Sequence, residues 1–238
     1  SLGKENAIAR ARQLDRGAST GLLHGLPIGV KDLFDTYDLP TAYGSPIYRD
    51  HQPATDAVSI ALMRKAGGII LGKTVTTEFA TTHAGPTCNP HNTAHTPGGS
   101  SSGSAAAVAA GMVPVALGTQ TNGSVIRPAS YCGGYAYKPS RGLVPRTGVL
   151  DQSPSLDEVG VFARNLEDLA WVGEILTGDD GHDAATARQA PRRLYDVAVS
   201  EPPLPPKFCF VKTPWWDQVD PEAREAYEAF VDHLGDCV

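Results

Sequence analysis

No apolar run in this 238-residue sequence is long enough to span a bilayer. The longest mostly apolar stretch, 105–117, is interrupted by Gly111 and Pro114 and falls short of the roughly 20 residues a spanning helix needs. Basic residues are in deficit, with 20 Lys and Arg against 26 Asp and Glu and a formal net charge of −6. A nucleic-acid binder of the phosphate-neutralising kind is thereby excluded, because it needs a Lys/Arg surplus gathered on one face. Cysteines are few: Cys88, Cys132, Cys209 and Cys237 stand apart with no CxxC pair, as reduced thiols without a structural task would. The sequence opens at Ser1 on a polar stretch with no basic segment running into an apolar one, so it predicts no export and a cytoplasmic location.

What is present is enough for a core, since 41% of residues are hydrophobic and 19% charged. The 25 glycines and 19 prolines gather at particular points and have no short period, which removes collagen-like and linker-like readings. Ala7, Ile8, Ala11 and Leu14 recur at helical spacing before Gly17. Residues 26–30 form a short apolar run that reads as a buried strand delivering Lys31 and Asp32 at its end. A helix over 56–66, stopped by Gly67-Gly68, and a second buried strand at 69–71 follow. Residues 81–97, broken by Pro86, Pro90 and Pro97, read as an extended loop. Then come a Gly/Ser run over 98–104, a helix over 105–110 and a strand over 113–117 that runs into 118–124. Little periodicity marks 183–207, and 221–234 is helical again. Strands alternating with helices predict an α/β fold with a largely parallel sheet.

The Gly/Ser run invites three readings that its context disfavours. A phosphate loop would close on Gly-Lys-Ser/Thr. The nucleophile elbow, formally matched by Gly99-x-Ser101-x-Gly103, needs a strand directly before it, where the sequence has a polar, proline-ended segment. A flexible linker would not lead straight into a helix. His83, Cys88, His91 and His95 lie close together, but their spacing fits no strong zinc pattern.

Pro27-Ile28-Gly29-Val30-Lys31-Asp32, the run Gly98–Ser104 and the stretch Gly118–Ser124 together resemble the amidase signature family of serine hydrolases. Leu23-His24-Gly25-Leu26-Pro27, Gly72-Lys73-Thr74, Glu78-Phe79-Ala80, Asn89-Pro90-His91-Asn92 and the segment from Ser153 to Arg164 match in order, so the resemblance covers roughly residues 5–180. It implies an α/β/α sandwich with a mixed, largely parallel central sheet. It also implies one catalytic domain over 1–238 that is incomplete at its C-terminus, the N-terminal part of a longer chain. By position, the family's lysine falls on Lys31, its bridging serine on Ser100 behind a cis Gly99–Ser100 bond, and its nucleophile on Ser124. No metal or organic cofactor is implied. The implied partner is a small-molecule amide, with a homodimer or a C-terminal fragment of the same protein as further expectations, and with no nucleic acid and no membrane.

The chemistry is coherent on its own terms. A serine hydroxyl needs a base in hydrogen-bond reach, and none of the seven histidines sits in these motifs. A lysine at the end of a buried strand can be kept neutral by desolvation. Backbone N–H groups of Thr121, Asn122, Gly123 and Ser124 would form the oxyanion hole. Taken singly, Lys31 would be a snorkelling lysine paired with Asp32, Ser100 a helix N-cap, and Ser124 a turn serine. The expected function is hydrolysis of an amide, and by the same acyl-enzyme of an ester or carbamate. The alternatives are the A component of a glutamyl-tRNA amidotransferase and a catalytically inactive binding homologue. The family commonly has Gly at Ser102, Asp at Gln120 and Gly at Asn122, and often Arg two residues after the nucleophile. Here Arg127 follows at three, directly before Pro128, and is either a clamp for a substrate carboxylate or half of a structural ion pair.

Overall fold

The computed structural model describes residues 1–19, 21–186 and 193–236, so Cys237 lies outside the described residues. Contacts divide the described chain into two compact units, Ser1–Val199 and Ser200–Val238.

In the first unit, β1 (Pro27–Lys31), β2 (Ile69–Thr74), β3 (Val115–Gln120), β4 (Tyr135–Tyr137) and β5 (Glu158–Ala163) form one sheet in the order β2-β1-β3-β5-β4. β1 pairs in parallel with β2 and β3, whereas β5 runs antiparallel to both β3 and β4. The sheet is therefore mixed. Its parallel half carries the lysine strand, and its antiparallel half brings the segment before Glu158 back to the end of β3.

Side chains alternate across the strands and sort into two cores. Ile28, Val30, Val115, Leu117, Val159 and Val161 face α2 (Val58–Lys65) and α5 (Leu166–Leu176). Ala116 and Phe162 face α3 (Ser102–Ala109) and α4 (Ile126–Cys132) on the other side, which completes the α/β/α layering. A third cluster packs Ala7 and Leu14 of α1 (Lys4–Leu14) onto Ile69 of β2. Gly118 lets α3 come close: a Cβ there would lie 2.6 Å from the Phe162 ring and 2.8 Å from Ser101 Oγ.

Several boundaries differ from the sequence reading. The helix expected over 105–110 already begins at Ser102, because Ser101 is its N-cap position and the serines enter the first turn. Within 183–207 the structure has α6 (Leu194–Val199), fixed by stacking of Tyr195 on Trp171 with ring centroids 4.2 Å apart and not by periodicity of its own. In the second unit, α7 (Pro221–Asp236) packs Tyr227 near Trp216, whose ring meets Phe210 edge to face at 5.3 Å. Among the described residues no helix is long and apolar enough to cross a membrane.

Candidate active site

Lys31 ends β1 on the face opposite Ile28 and Val30, and is completely buried. Its Nζ lies 2.8 Å from Ser100 Oγ, 2.7 Å from Thr119 Oγ1 and 3.3 Å from the Thr119 carbonyl oxygen. No carboxylate of the described residues lies within ion-pair distance of it. Asp32, its sequence neighbour, pairs with Lys73 Nζ at 3.3 Å. Burial holds the Lys31 ammonium far below the ordinary lysine range, with the Asp157 carboxylate pulling the other way. Three neighbours suit a neutral amine. Two N–H groups donate to the oxygens of Thr119, and in the neutral form the lone pair is left for the Ser100 hydroxyl at 2.8 Å.

Ser100 follows a cis Gly99–Ser100 peptide bond and is 3% exposed. Its carbonyl accepts from Thr77 N–H at 3.1 Å, so the segment after β2 fixes the serine's backbone while Lys31 holds its side chain. Ser101 ties the same turn to β3: its hydroxyl donates to the Thr119 carbonyl at 3.1 Å and accepts from Thr119 N–H at 3.3 Å. The N-cap reading of Ser100 does not hold, because that position belongs to Ser101.

Ser124 lies in the turn between β3 and α4 and is 6% exposed. The two serine segments meet through the backbone, with Ser101 N–H donating to the Ser124 carbonyl at 3.3 Å. Among the described residues no hydrogen bond joins the Ser100 and Ser124 hydroxyls. The N–H groups of Thr121, Asn122, Gly123 and Ser124 have no acceptor among the described residues, which leaves four successive donors open in one turn. Gly123 takes φ +133°, a conformation a side chain would strain, and so lets this turn form. The turn is anchored at both ends. Gln120 Oε1 accepts from Val125 N–H at 2.9 Å and Ile126 N–H at 3.0 Å, holding the start of α4. The Thr121 hydroxyl lies 2.5 Å from Asp157 Oδ1 and 2.7 Å from Gln152 Oε1.

Arg127 is exposed, and its guanidinium donates to the Asn122 carbonyl at 3.2 Å. It forms no ion pair among the described residues, and its bond to the Asn122 carbonyl ties it to the turn. His91 Nε2 donates to the Cys132 carbonyl at 2.8 Å, a local bond of the kind polar loop residues make. Thr119 and Asp157 lie in segments that match the family in order, but nothing in the sequence marks them, or Gln152, as site residues. The available signal was register: Gln120 pairs with Glu158, which sets Thr121 opposite Asp157 in the continued ladder.

A family model described as Amidase matches residues 1–237. Over 188 residues the chain is 43% identical to the A component of glutamyl-tRNA(Gln) amidotransferase from Methanosarcina mazei, covering 76% of this chain and 40% of that one. It is 38% identical over 248 residues to the corresponding protein of a Picosynechococcus species, covering 98% of this chain and 51% of the relative. The structure superposes on native peptide amidase from Stenotrophomonas maltophilia with a TM-score of 0.76 at 36% identity, covering 83% of this chain and 43% of that one. The chain thus spans about half the length of the curated relatives it matches. With its motifs in order, its mixed sheet and its buried lysine set against a serine, the chain belongs to the Amidase family, the amidase signature enzymes.

Proposed function

We propose that the protein hydrolyses a small-molecule carboxamide through an acyl-enzyme, with Lys31 as base, Ser100 as proton bridge and Ser124 as nucleophile. The observation that carries the reading is a fully buried lysine amine, without a carboxylate partner among the described residues, 2.8 Å from a serine hydroxyl. Neutral Lys31 takes a proton from Ser100 as Ser100 takes one from Ser124. Ser124 Oγ then bonds to the substrate carbonyl carbon, and the displaced C=O electron pair settles on oxygen. The N–H groups of residues 121–124 receive that oxyanion, which costs little reorganisation because they are already unpaired. Collapse breaks the C–N bond, and the proton on Lys31 returns through Ser100 to the departing amine. Water repeats the sequence on the acyl group and releases the acid. The hydroxyl–hydroxyl bond the relay requires forms as substrate closes the site, as catalytic hydrogen bonds often do. Esters and carbamates fit the same acyl-enzyme. Residues 1–238 are then the motif-bearing part of one cytoplasmic catalytic domain.

A second reading, the A component of a glutamyl-tRNA amidotransferase, is favoured by the names of the relatives at 38–43% identity. Co-purification with partner proteins, or ammonia transfer to a charged tRNA, would separate it from a free-standing amidase.

The test is Ser124→Ala with a fluorophosphonate probe. Wild type should label at Ser124 and turn over amides, and the variant should do neither while its circular dichroism and Tm stay unchanged. The activity loss expected is several orders of magnitude. More than about a tenth of the activity remaining, a loss under about 1.4 kcal/mol, would remove Ser124 from the mechanism. An unlabelled, inactive wild type would mark a binding homologue.

A further inference from the structure

We propose that Asp157 is a positioning residue for this reaction, holding the donor turn 121–124 in its open shape from the strand opposite. The inference rests on the Lys31–Ser100–Ser124 reading above and adds a residue to it. Asp157 is buried at the last position before β5, across the continued register from Thr121. One carboxylate oxygen lies 2.5 Å from the Thr121 hydroxyl. The other accepts from Gln152 N–H at 2.6 Å and Ser153 N–H at 2.7 Å. Three donors on one buried carboxylate leave it no freedom to turn, and charge-assisted bonds of this length are the strong kind. Gln152 extends the link through its own N–H on Asp157, since the single Thr121 proton is given to that carboxylate, and its side-chain amide donates to the Ala80 carbonyl at 3.3 Å. The first residue of the donor turn is thereby fastened to the segment behind Ser100, whose carbonyl accepts from Thr77 N–H.

Asp157 also acts through space on Lys31. Its negative charge favours the ammonium form and so works against the burial that keeps the amine neutral. The charged groups around Asp157 are Asp151, whose carboxyl is pushed up by burial first and by the neighbouring Asp157, and Arg146, whose guanidinium donates to the Asp157 carbonyl at 3.4 Å and is neutralised by Asp183 at 2.9 Å. From β1 and β3 the groups facing Lys31 are the neutral hydroxyl and carbonyl of Thr119, and from the turn before α3 the Ser100 hydroxyl.

Two substitutions separate the two effects. Asp157→Asn keeps the shape, removes the charge and cannot accept on both sides. Its kcat should fall about tenfold to a hundredfold with KM within about threefold, and the rising limb of kcat/KM against pH should move to lower pH, because the ammonium of Lys31 loses its stabilising charge. Thr121→Val removes the hydroxyl and keeps the charge, so kcat should fall about tenfold with the limb unmoved. A merely structural aspartate would lower Tm and the amount of active enzyme and leave the limb in place in both variants. That result, or kcat within twofold of wild type in Asp157→Asn, overturns the proposal. Should Asp157→Asn fail to fold, Thr121→Val decides alone, and wild-type kcat in that variant is the overturning result. Failure of the underlying reading shows separately, as an active Ser124→Ala enzyme, whatever the Asp157 variants do.

Discussion

Two lysines are buried on neighbouring strands of this sheet, and they have opposite surroundings. Lys73 on β2 pairs across to Val30, so by alternation it points to the face that Lys31 avoids. Its side chain is 2% exposed, and its ammonium meets Asp32 at 3.3 Å, the Phe34 carbonyl at 2.6 Å and the Thr41 hydroxyl at 2.7 Å. Lys31 meets only hydroxyls and one carbonyl. Burial pushes both lysines down; at Lys73 the paired Asp32 pulls back and is itself raised by burial, whereas at Lys31 the pull comes from Asp157, outside ion-pair distance. A buried cation supplied with its own anion fastens the loop after β1. One with no anion in ion-pair reach is poised to give up its proton, the property the proposed relay needs.

Removing each lysine should therefore produce opposite results, and the largest effect belongs to Lys31. Lys31→Met should lower kcat/KM by about a thousandfold or more, the scale of losing a general base in an acyl-transfer relay. It should also stabilise the fold. A lysine whose folded pKa is depressed binds fewer protons folded than unfolded, so it costs stability at low pH, and that cost disappears as pH approaches the free-lysine value near 10.4. Urea unfolding at pH 6, 8 and 10 should show the gain shrinking as pH rises. A destabilised Lys31→Met protein, or a gain that grows with pH, would mean that Lys31 is charged in the resting fold.

Lys73→Met should do the reverse. It leaves Asp32 half-buried without its cation and the Phe34 carbonyl without its donor. Breaking a buried pair from one side costs about 3–5 kcal/mol, and the partial exposure of Asp32 places this case at the lower end. Denaturant midpoints should fall accordingly, while kcat/KM per folded molecule changes only a few-fold. A Lys73→Met enzyme of full stability and no activity would erase the distinction between the two lysines.

The lysine contrast was half legible in the sequence. Lys31 at the end of an apolar run, a Gly/Ser run before an Ala-rich helix, and Ser124 after the next strand all stand on local patterns that survive folding, because the strands are fully buried and therefore continuously apolar. What Lys73 does was not legible: its partners Asp32, Phe34 and Thr41 come from the loop after β1, and loop geometry leaves no period. The same holds for α6, held by Tyr195 against Trp171, and for Asp157, whose task follows only from the antiparallel pairing of β3 with β5. The departure at Gln120 became intelligible once its side-chain oxygen was seen to take two N–H groups at the start of α4, a task for an acceptor that does not require its charge.

The smallest expected effect tests whether the counter-ion rule extends to a third cation. Arg127 sits on the turn of Ser124 like a functional group and, like Lys31, has no carboxylate among the described residues, but it is exposed and keeps its charge. An exposed arginine using one N–H on the Asn122 carbonyl retains others for an incoming carboxylate. If substrate supplies the anion, Arg127→Ala should lower kcat/KM for an acidic amide about tenfold to a hundredfold more than for its neutral isostere, since a charge-assisted pair contributes about 1.5–3 kcal/mol. If Arg127 only braces the turn through Asn122, both substrates should suffer alike and Tm should drop with them. The two amides assayed on wild type and variant decide it: equal losses would make Arg127 a brace, and the rule that an unpaired cation marks the chemistry would then hold for buried lysine alone.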